Sequence, residues 1–153
     1  MTDLRIEAVG PDADEARLEQ WRHVHNTIVP PAALALDEVR ERAGRYRLVN
    51  AYVGGVLVGC STVRPPEGEG AVATVIARVL PAYRRRGHGS ALYDDGLAHA
   101  RVLGARAVET CVLGVNEEGL LFARGRGFVE VERYVLDGRS EEWIDLRVVP
   151  GWE

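Results

Sequence analysis

Residues 79–90 bring together the side chains best suited to one kind of chemistry: Val79-Leu80-Pro81-Ala82-Tyr83-Arg84-Arg85-Arg86-Gly87-His88-Gly89-Ser90. The run joins an apolar stretch to a helical pattern through three arginines and two glycines. A turn of this type leaves several backbone N–H groups unpaired, and the helix that follows adds the positive end of its dipole. Gly87 and Gly89 have no side chains, so a phosphate oxygen can come close, and both are free to take positive φ. Arginines around such a nest add charge-assisted hydrogen bonds. Phosphate binding is therefore the chemistry to test, and three motifs compete for it. A P-loop requires Gly-Lys-Ser/Thr, and the chain contains no lysine. A dinucleotide fingerprint requires a third glycine, where Gly87-His88-Gly89-Ser90-Ala91-Leu92 ends in leucine. A third pattern, Arg/Gln-x-x-Gly-x-Gly/Ala, is met by Arg84 to Gly89. The plain alternative is an ordinary basic turn ahead of a helix.

The elements that must position this turn alternate along the chain. Residues 4–9 alternate apolar and polar and predict a strand. Pro11 and Asp12 open a predicted helix running to Ile28, with Leu18, Trp21, His25 and Ile28 on one face. Pro30 and Pro31 break it within residues 26–36, an unusually apolar loop. Asp37 reads as the N-cap of a short helix ending near Gly44. Strands are predicted at 46–53 and 56–63 around the Gly54-Gly55 hairpin signal, then a turn at 65–70 and a strand at 71–80. Residues 89–103 have helical spacing in Leu92, Gly96, Ala100 and Leu103 and stop at Gly104. A strand at 107–115, a helix at 117–126, a strand at 128–136 and a last strand at 143–149 complete the order βααβββαβαββ. Helices between neighbouring strands predict an α/β fold with a mixed sheet covered by helices.

With 153 residues, the length suits one domain with a real core. Apolar residues at 46% and charged residues at 27% exclude a disordered or collagen-like chain. The apolar runs at 53–60 and 72–77 are far shorter than the ~20 residues of a membrane span. No apolar stretch follows Met1-Thr2-Asp3-Leu4-Arg5, so no secretory signal is expected and the expected location is cytoplasmic. Cys60 and Cys111 lie far apart in strand-like runs and read as reduced core thiols; no metal site is expected. The net charge of -4 argues against a nucleic-acid partner, although Arg84 to Arg86 are clustered.

On the third pattern the chain resembles the GNAT family of N-acetyltransferases, whose motif of this form cradles the coenzyme A pyrophosphate. The surroundings agree over residues 72–136. Val79-Leu80-Pro81-Ala82-Tyr83-Arg84 matches the family's Val-x-Pro-x-Tyr-Arg, and Asn116 stands twelve residues before the phenylalanine of Gly127-Phe128. The resemblance implies a GNAT-like acyl-CoA N-acyltransferase fold in one domain, residues 1–153, with acetyl-CoA as acyl donor. It implies that Val79 pairs its backbone with the pantetheine arm and presents its N–H to the thioester oxygen. Arg84, Arg85, Arg86, Gly87, His88, Gly89 and Ser90 would line the pyrophosphate nest, chiefly through backbone N–H groups from Arg85 to Ser90. Asn116 would contact the pantetheine arm, and the sheet would splay after Val79 and near Val112. An amine would attack the thioester directly, backbone donors would hold the developing oxyanion, and the thiolate would need a proton.

Two departures from the family matter. The tyrosine that protonates the thiolate stands five residues before the phenylalanine; here that position is Ala123, beside Phe122, which has no proton to give. A carboxylate base on the preceding strand is replaced by Val75 and Ile76. A thiolate with a pKa near that of cysteine, about 8.5, is still a tolerable leaving group. Substitutes are His25, with His23 nearby, ahead of the loop that borders the acceptor in this family; Glu109, with Cys111 on the same strand face; and Tyr93, one turn into the helix after Gly89. Each has a structural alternative: a packed or surface histidine, a solvated carboxylate beside a packing thiol, and a core ring. Arg78 would attract an anionic acceptor or be a solvated sheet arginine. Residues 29–36 and Trp143 would rim an acceptor site or simply pack. Two classes follow: an acetyltransferase acting on a small-molecule amine or a protein N-terminus, or a non-catalytic acyl-CoA-binding module. No membrane partner is expected, and a homodimer is left open.

Overall fold

Leu18, Trp21, Val24 and His25 recur at helical spacing and are all buried, so one face of the first helix is committed to packing. The computed structural model describes residues 3–148 and has the expected order of elements. The strands are β1 (Leu4–Ala8), β2 (Arg47–Val53), β3 (Val56–Glu67), β4 (Val72–Val79), β5 (Ala107–Leu113), β6 (Val129–Val135) and β7 (Glu142–Val148). The helices are α1 (Glu15–Ile28), α2 (Leu36–Arg45), α3 (His88–Val102) and α4 (Glu117–Gly125). Single 3-10 turns lie at Pro30–Ala32 and Pro81–Tyr83. One seven-stranded mixed sheet is formed in the order β1-β2-β3-β4-β5-β7-β6.

Helices cover both faces of the sheet. On one face α1 and α2 pack Leu18, Trp21, Val24, Val39 and Ala43 against Leu48 and Cys60. Trp21 also donates its indole N–H to the Ser61 carbonyl at 3.1 Å, which pins α1 to β3. On the other face α3 and α4 pack Tyr93, Leu97, Ala100, Leu120 and Ala123 against Val75, Val108, Val112 and Ile144. Helix α3 comes close to the sheet at Gly96, where an added Cβ would stand 2.5 Å from Val75 Cγ1.

Several local boundaries differ from the sequence expectation. Helix α1 begins at Glu15, because Asp14, not Pro11, caps it by accepting from the Arg17 N–H at 2.9 Å. Helix α2 begins one residue before Asp37: Ala35 is the N-cap position, and the Glu38 carboxylate reaches back to its N–H at 2.9 Å. Strand β3 runs on through Pro65-Pro66 to Glu67, where a turn was expected. The ladder tolerates both prolines because its register shifts between Arg64 and Glu67. Leu103 is the C-cap of α3 and is exposed, not part of its buried face. The expected end of β7 at Val149 lies outside the described residues.

The feature that makes a site is the junction of β4 and β5. It is the one parallel pair of the sheet, and it holds together over only three residue pairs, from Val72↔Ala107 to Thr74↔Glu109. Beyond Thr74 the strands part, earlier than the expected opening after Val79. β4 stays paired with β3 as far as Val79, and β5 stays paired with β7 as far as Leu113, so each side of the gap is held by its outer neighbour. Unpaired polar backbone therefore faces the gap. Leu80 N–H bonds the Val58 carbonyl at 2.8 Å, and the alternation of the antiparallel ladder then directs the Val79 N–H away from β3 and into the opening.

Candidate active site

The turn after β4 delivers the chain from the opened strand to the start of α3. Arg84 closes it by donating its Nε–H to the Val79 carbonyl at 2.9 Å, with Nη1 3.4 Å from Glu118 on α4. Arg85 takes φ 65 and Gly87 φ 85, both left-handed. A non-glycine residue in that region carries strain of about 1–2 kcal/mol, which functional sites commonly hold. Alternating left-handed residues turn successive N–H groups inward. Helix α3 then starts without any side-chain cap, whereas Asp14, Glu38 and Asn116 serve α1, α2 and α4. The N–H groups of His88, Gly89 and Ser90 thus have no acceptor within the helix, and they lie at the wall of a cavity.

That cavity, about 330 Å³, is lined by Val79, Arg84, Arg85, Gly87, His88, Gly89, Ser90 and Asn116, which were all singled out from sequence. Ile28, Ala77, Tyr83, Glu118, Gly119 and Phe122 complete most of its wall. Of the expected nest residues only Arg86 is not in the wall; its guanidinium lies 5.9 Å from the Tyr83 ring centroid on the exposed side of the turn. Arg84 also differs from expectation, because its guanidinium is engaged with the Val79 carbonyl and Glu118 and braces the loop. The Val79 carbonyl thus already accepts one hydrogen bond, while its N–H is directed into the opening. Gly89 does not use positive φ: it is the second residue of α3, and a Cβ there would meet Val79 Cγ2 at 3.7 Å, an ordinary contact. Asn116 caps α4 by accepting from the Gly119 N–H at 3.0 Å, which leaves its amide NH2 as the ligand-facing group. His88 is buried, and its Nδ1 has no partner.

A smaller cavity of about 70 Å³ continues along the strand gap and shares Ile28, Ala77, Arg78, Asn116 and Phe122 with the first. Tyr93, Thr110, Cys111 and Ala123 line it. The Tyr93 ring packs on Phe122 and Phe128 and is 2% exposed; burial raises its pKa above the ordinary value of 10. Thr110 is its polar neighbour, but no hydrogen bond of normal geometry satisfies the hydroxyl. Cys111 Sγ lies 3.7 Å from the Tyr134 hydroxyl, which donates to Asp145 at 3.1 Å; burial pushes the thiol up to about 12.

The other candidates are placed elsewhere. His25 stacks on Trp21 with ring centroids 5.1 Å apart and has Nδ1 2.9 Å from Asn26 Oδ1. Burial, and then the charge of Arg78, lower its pKa to about 4, and it lines neither cavity. His23 is exposed. Glu109 is ion-paired with Arg147, and Trp143 is partly buried on β7; neither reaches a cavity wall. The loop after α1 divides. Ile28 and Val29 reach the cavities, while Leu34 is core and is pinned by Asn26, which accepts from its N–H at 2.9 Å and donates to its carbonyl at 3.0 Å. Arg139, in the β6–β7 turn, donates to the Pro31 carbonyl and so ties that turn to the loop. Phe122, Glu118 and Ile28 were missed from sequence. A signal existed for Glu118, an acid in the first turn of a helix facing the arginine loop; the other two are ordinary apolar residues.

A family model described as acetyltransferase (GNAT) family matches residues 10–128. Similar solved structures include yncA of Salmonella typhimurium with its cofactor acetyl-CoA, at 17% identity and TM-score 0.73, covering 95% of this chain and 93% of that one. A ribosomal-protein-alanine N-acetyltransferase from Brucella melitensis has 20% identity and TM-score 0.72, with coverage of 95% and 99%. An N-acetyltransferase from Staphylococcus aureus has 15% identity and TM-score 0.72, with coverage of 97% and 99%. At these identities the likeness is one of fold. No curated protein sequence matches the chain. Among the described residues there is no group of metal-ligating side chains, and no helix is long and apolar enough to cross a membrane.

Proposed function

The chain belongs to the GNAT acetyltransferase family, and from that premise we propose that it transfers the acetyl group of acetyl-CoA to an amine by direct attack on the thioester. One observation carries the reading. The uncapped start of α3, with its left-handed Arg85 and Gly87, stands at the wall of a cavity that adjoins the smaller one in the β4–β5 gap. An anion held by the N–H groups from Arg85 to Ser90 leaves the rest of a long donor free to lie along that gap.

Acetyl-CoA supplies an activated acyl group, and the chain's own residues supply binding and charge placement. The Val79 N–H, directed into the opening, is the donor for charge developing on the carbonyl oxygen. The Asn116 amide NH2 and the Phe122 ring flank the path, one polar and one apolar. We assign the assisting role to Tyr93, which lines the narrow cavity together with Ala123, the position of the missing family tyrosine, and whose hydroxyl is buried without a partner. Its raised pKa keeps it protonated but makes it a poor proton donor to a thiolate; it assists departure by hydrogen bonding. If the acceptor amine binds neutral, no side-chain base is required for attack; the proton that the nitrogen loses as the amide forms passes to the departing thiolate, so coenzyme A leaves as the thiol.

The test is thiol release from acetyl-CoA by the purified protein over a broad amine panel. Turnover well above hydrolysis without acceptor is expected. Ala123 favours a second reading, a binding module that kept the nest and lost the acid. Tight acetyl-CoA binding with no transfer to any amine would establish that reading instead.

A further inference from the structure

Cys60, Thr62 and Arg64 of β3 stand opposite Arg78, Ile76 and Thr74 of β4, so their side chains share the face covered by α1 and α2. Arg78 was expected on sequence grounds to be either solvated or at the slot; it is 7% exposed and lines both cavities. Its guanidinium lies 5.4 Å from the Trp21 ring centroid, and Nη1 donates to Thr62 Oγ1 at 3.1 Å and meets Cys60 Sγ at 3.7 Å. No carboxylate among the described residues pairs with it. On β5 and β7 the acids of that face are engaged, Glu109 by Arg147 and Asp145 by the Tyr134 hydroxyl.

Two more arginines, both partly buried, stand close by. Arg42 of α2 has its pKa lowered first by burial and then by the charge of Arg64, with a further contribution from Arg78. Neither Arg42 nor Arg64 has an ion pair among the described residues, and Arg64 Nε is buried without a partner. Many other arginines of the chain, exposed ones included, do have carboxylate partners, for example Arg5, Arg45, Arg133 and Arg147. A buried cation without a counter-ion is expensive to fold around. Its retention at a cavity wall, backed by two further cations, calls for an anion of about its own size. The smaller cavity, about 70 Å³ against about 330 Å³ for the larger, suits a group as small as a carboxylate. Ile28, Val29 and Ile76 give the remaining lining an apolar character.

We infer that the acceptor carries a carboxylate bound by Arg78, beside its reacting amine, and so is a small amino acid. Arg78 directly precedes Val79, whose N–H faces the reaction gap, so an acid held there keeps its amine within a few bonds of the thioester. The planar fork of the guanidinium matches a carboxylate with two parallel bonds, and Arg42 and Arg64 add attraction without contact. This assignment rests on the transferase reading above, but binding tests it separately.

The experiment titrates the standard amino acids, singly, and their carboxamides into the wild-type protein saturated with coenzyme A, by calorimetry, and then measures transfer to both sets from acetyl-CoA. At least one amino acid is expected to bind roughly tenfold or more tightly than its carboxamide, the effect of losing a charged hydrogen-bonded pair. Arg78→Met should abolish that preference and leave the coenzyme A dissociation constant unchanged. Arg78→Lys, which keeps the charge without the fork, should retain part of the preference and guards against a folding failure of the first variant. Equal binding of acids and carboxamides by the wild type, or a preference that survives Arg78→Met, overturns the assignment. Selective binding without transfer would leave the subsite standing and refute the transferase reading alone.

Discussion

Gly87 and Gly89 look equivalent in the motif, and the structure makes them unequal. Gly87 sits at φ 85 with nothing within 4 Å of an added Cβ, so a side chain there meets no clash, only the wrong backbone region. Valine at 87 would carry about 1–2 kcal/mol of left-handed strain or would escape it by rotating the loop. Rotation would turn away the N–H groups that precede α3. Each hydrogen bond to a charged group is worth about 1.5–3 kcal/mol, so losing even one lowers coenzyme A affinity by about tenfold or more. Gly89 is helical, and a methyl there meets Val79 Cγ2 at 3.7 Å and Phe122 Cε1 at 3.9 Å, both ordinary contacts. Alanine at 89 should therefore keep affinity within about threefold, a difference below about 0.7 kcal/mol. It should also match or slightly exceed the wild type in stability, since glycine is the poorer helix former by up to about 1 kcal/mol. Calorimetric titration of coenzyme A and thermal melts on both variants measure this asymmetry. Equal losses of affinity, or full affinity in Gly87→Val, would refute the reasoning.

Ala123→Tyr should not restore a faster enzyme: Ala123 is 1% exposed in the core under α4, and the ring overfills the small cavity beside it, lowering stability by about 1–3 kcal/mol; a raised kcat with an unchanged melting temperature would show otherwise. His25 is unprotonated in the fold down to a pH of about 4, whereas the unfolded chain binds that proton below about 6.5, so its contribution to stability is full above 6.5 and is lost as pH falls towards 4. The loss approaches about 1.4 kcal/mol per pH unit, His25→Gln should flatten it in denaturant titrations, and the acidic limb of kcat should be unaffected by that change. Leu34→Ala should destabilise the fold by about 2–5 kcal/mol as a core deletion, whereas Val29→Ala should raise the acceptor KM and leave the coenzyme A dissociation constant unchanged; reversal of these two effects would place the acceptor elsewhere.

What the sequence made legible was local. The order of elements followed from spacing that each segment carries within itself, such as Leu18, Trp21 and His25 on α1 or Leu92, Gly96 and Ala100 on α3. Residues 79–90 could be read for the same reason, since a phosphate nest is built from consecutive backbone groups. The remainder depends on partners distant in sequence. Pro65-Pro66 reads as a turn in the sequence, and the register shift against β4 is what lets β3 run through it. The left-handed Arg85 carries no compositional mark, unlike Gly87. The point where β4 and β5 part is fixed by their outer neighbours, β3 and β7, and no property of Thr74 or Glu109 announces it. Arg78 resembles any strand arginine until Trp21, from a helix 57 positions earlier in the chain (78 less 21), closes over it. His25 and Glu109 were credible bases by type, and their neighbours, Trp21 and Arg147, removed them from the site.

The most direct test of the account follows backbone amides while acetyl-CoA is added to isotopically labelled protein. The amides from Arg85 to Ser90, together with Val79, should show the largest saturable shifts, and the N-termini of α1 and α2, which are already capped by side chains, should stay silent. Saturable binding that leaves residues 85–90 unmoved, or no binding at all, would contradict the assignment of this loop as the donor site.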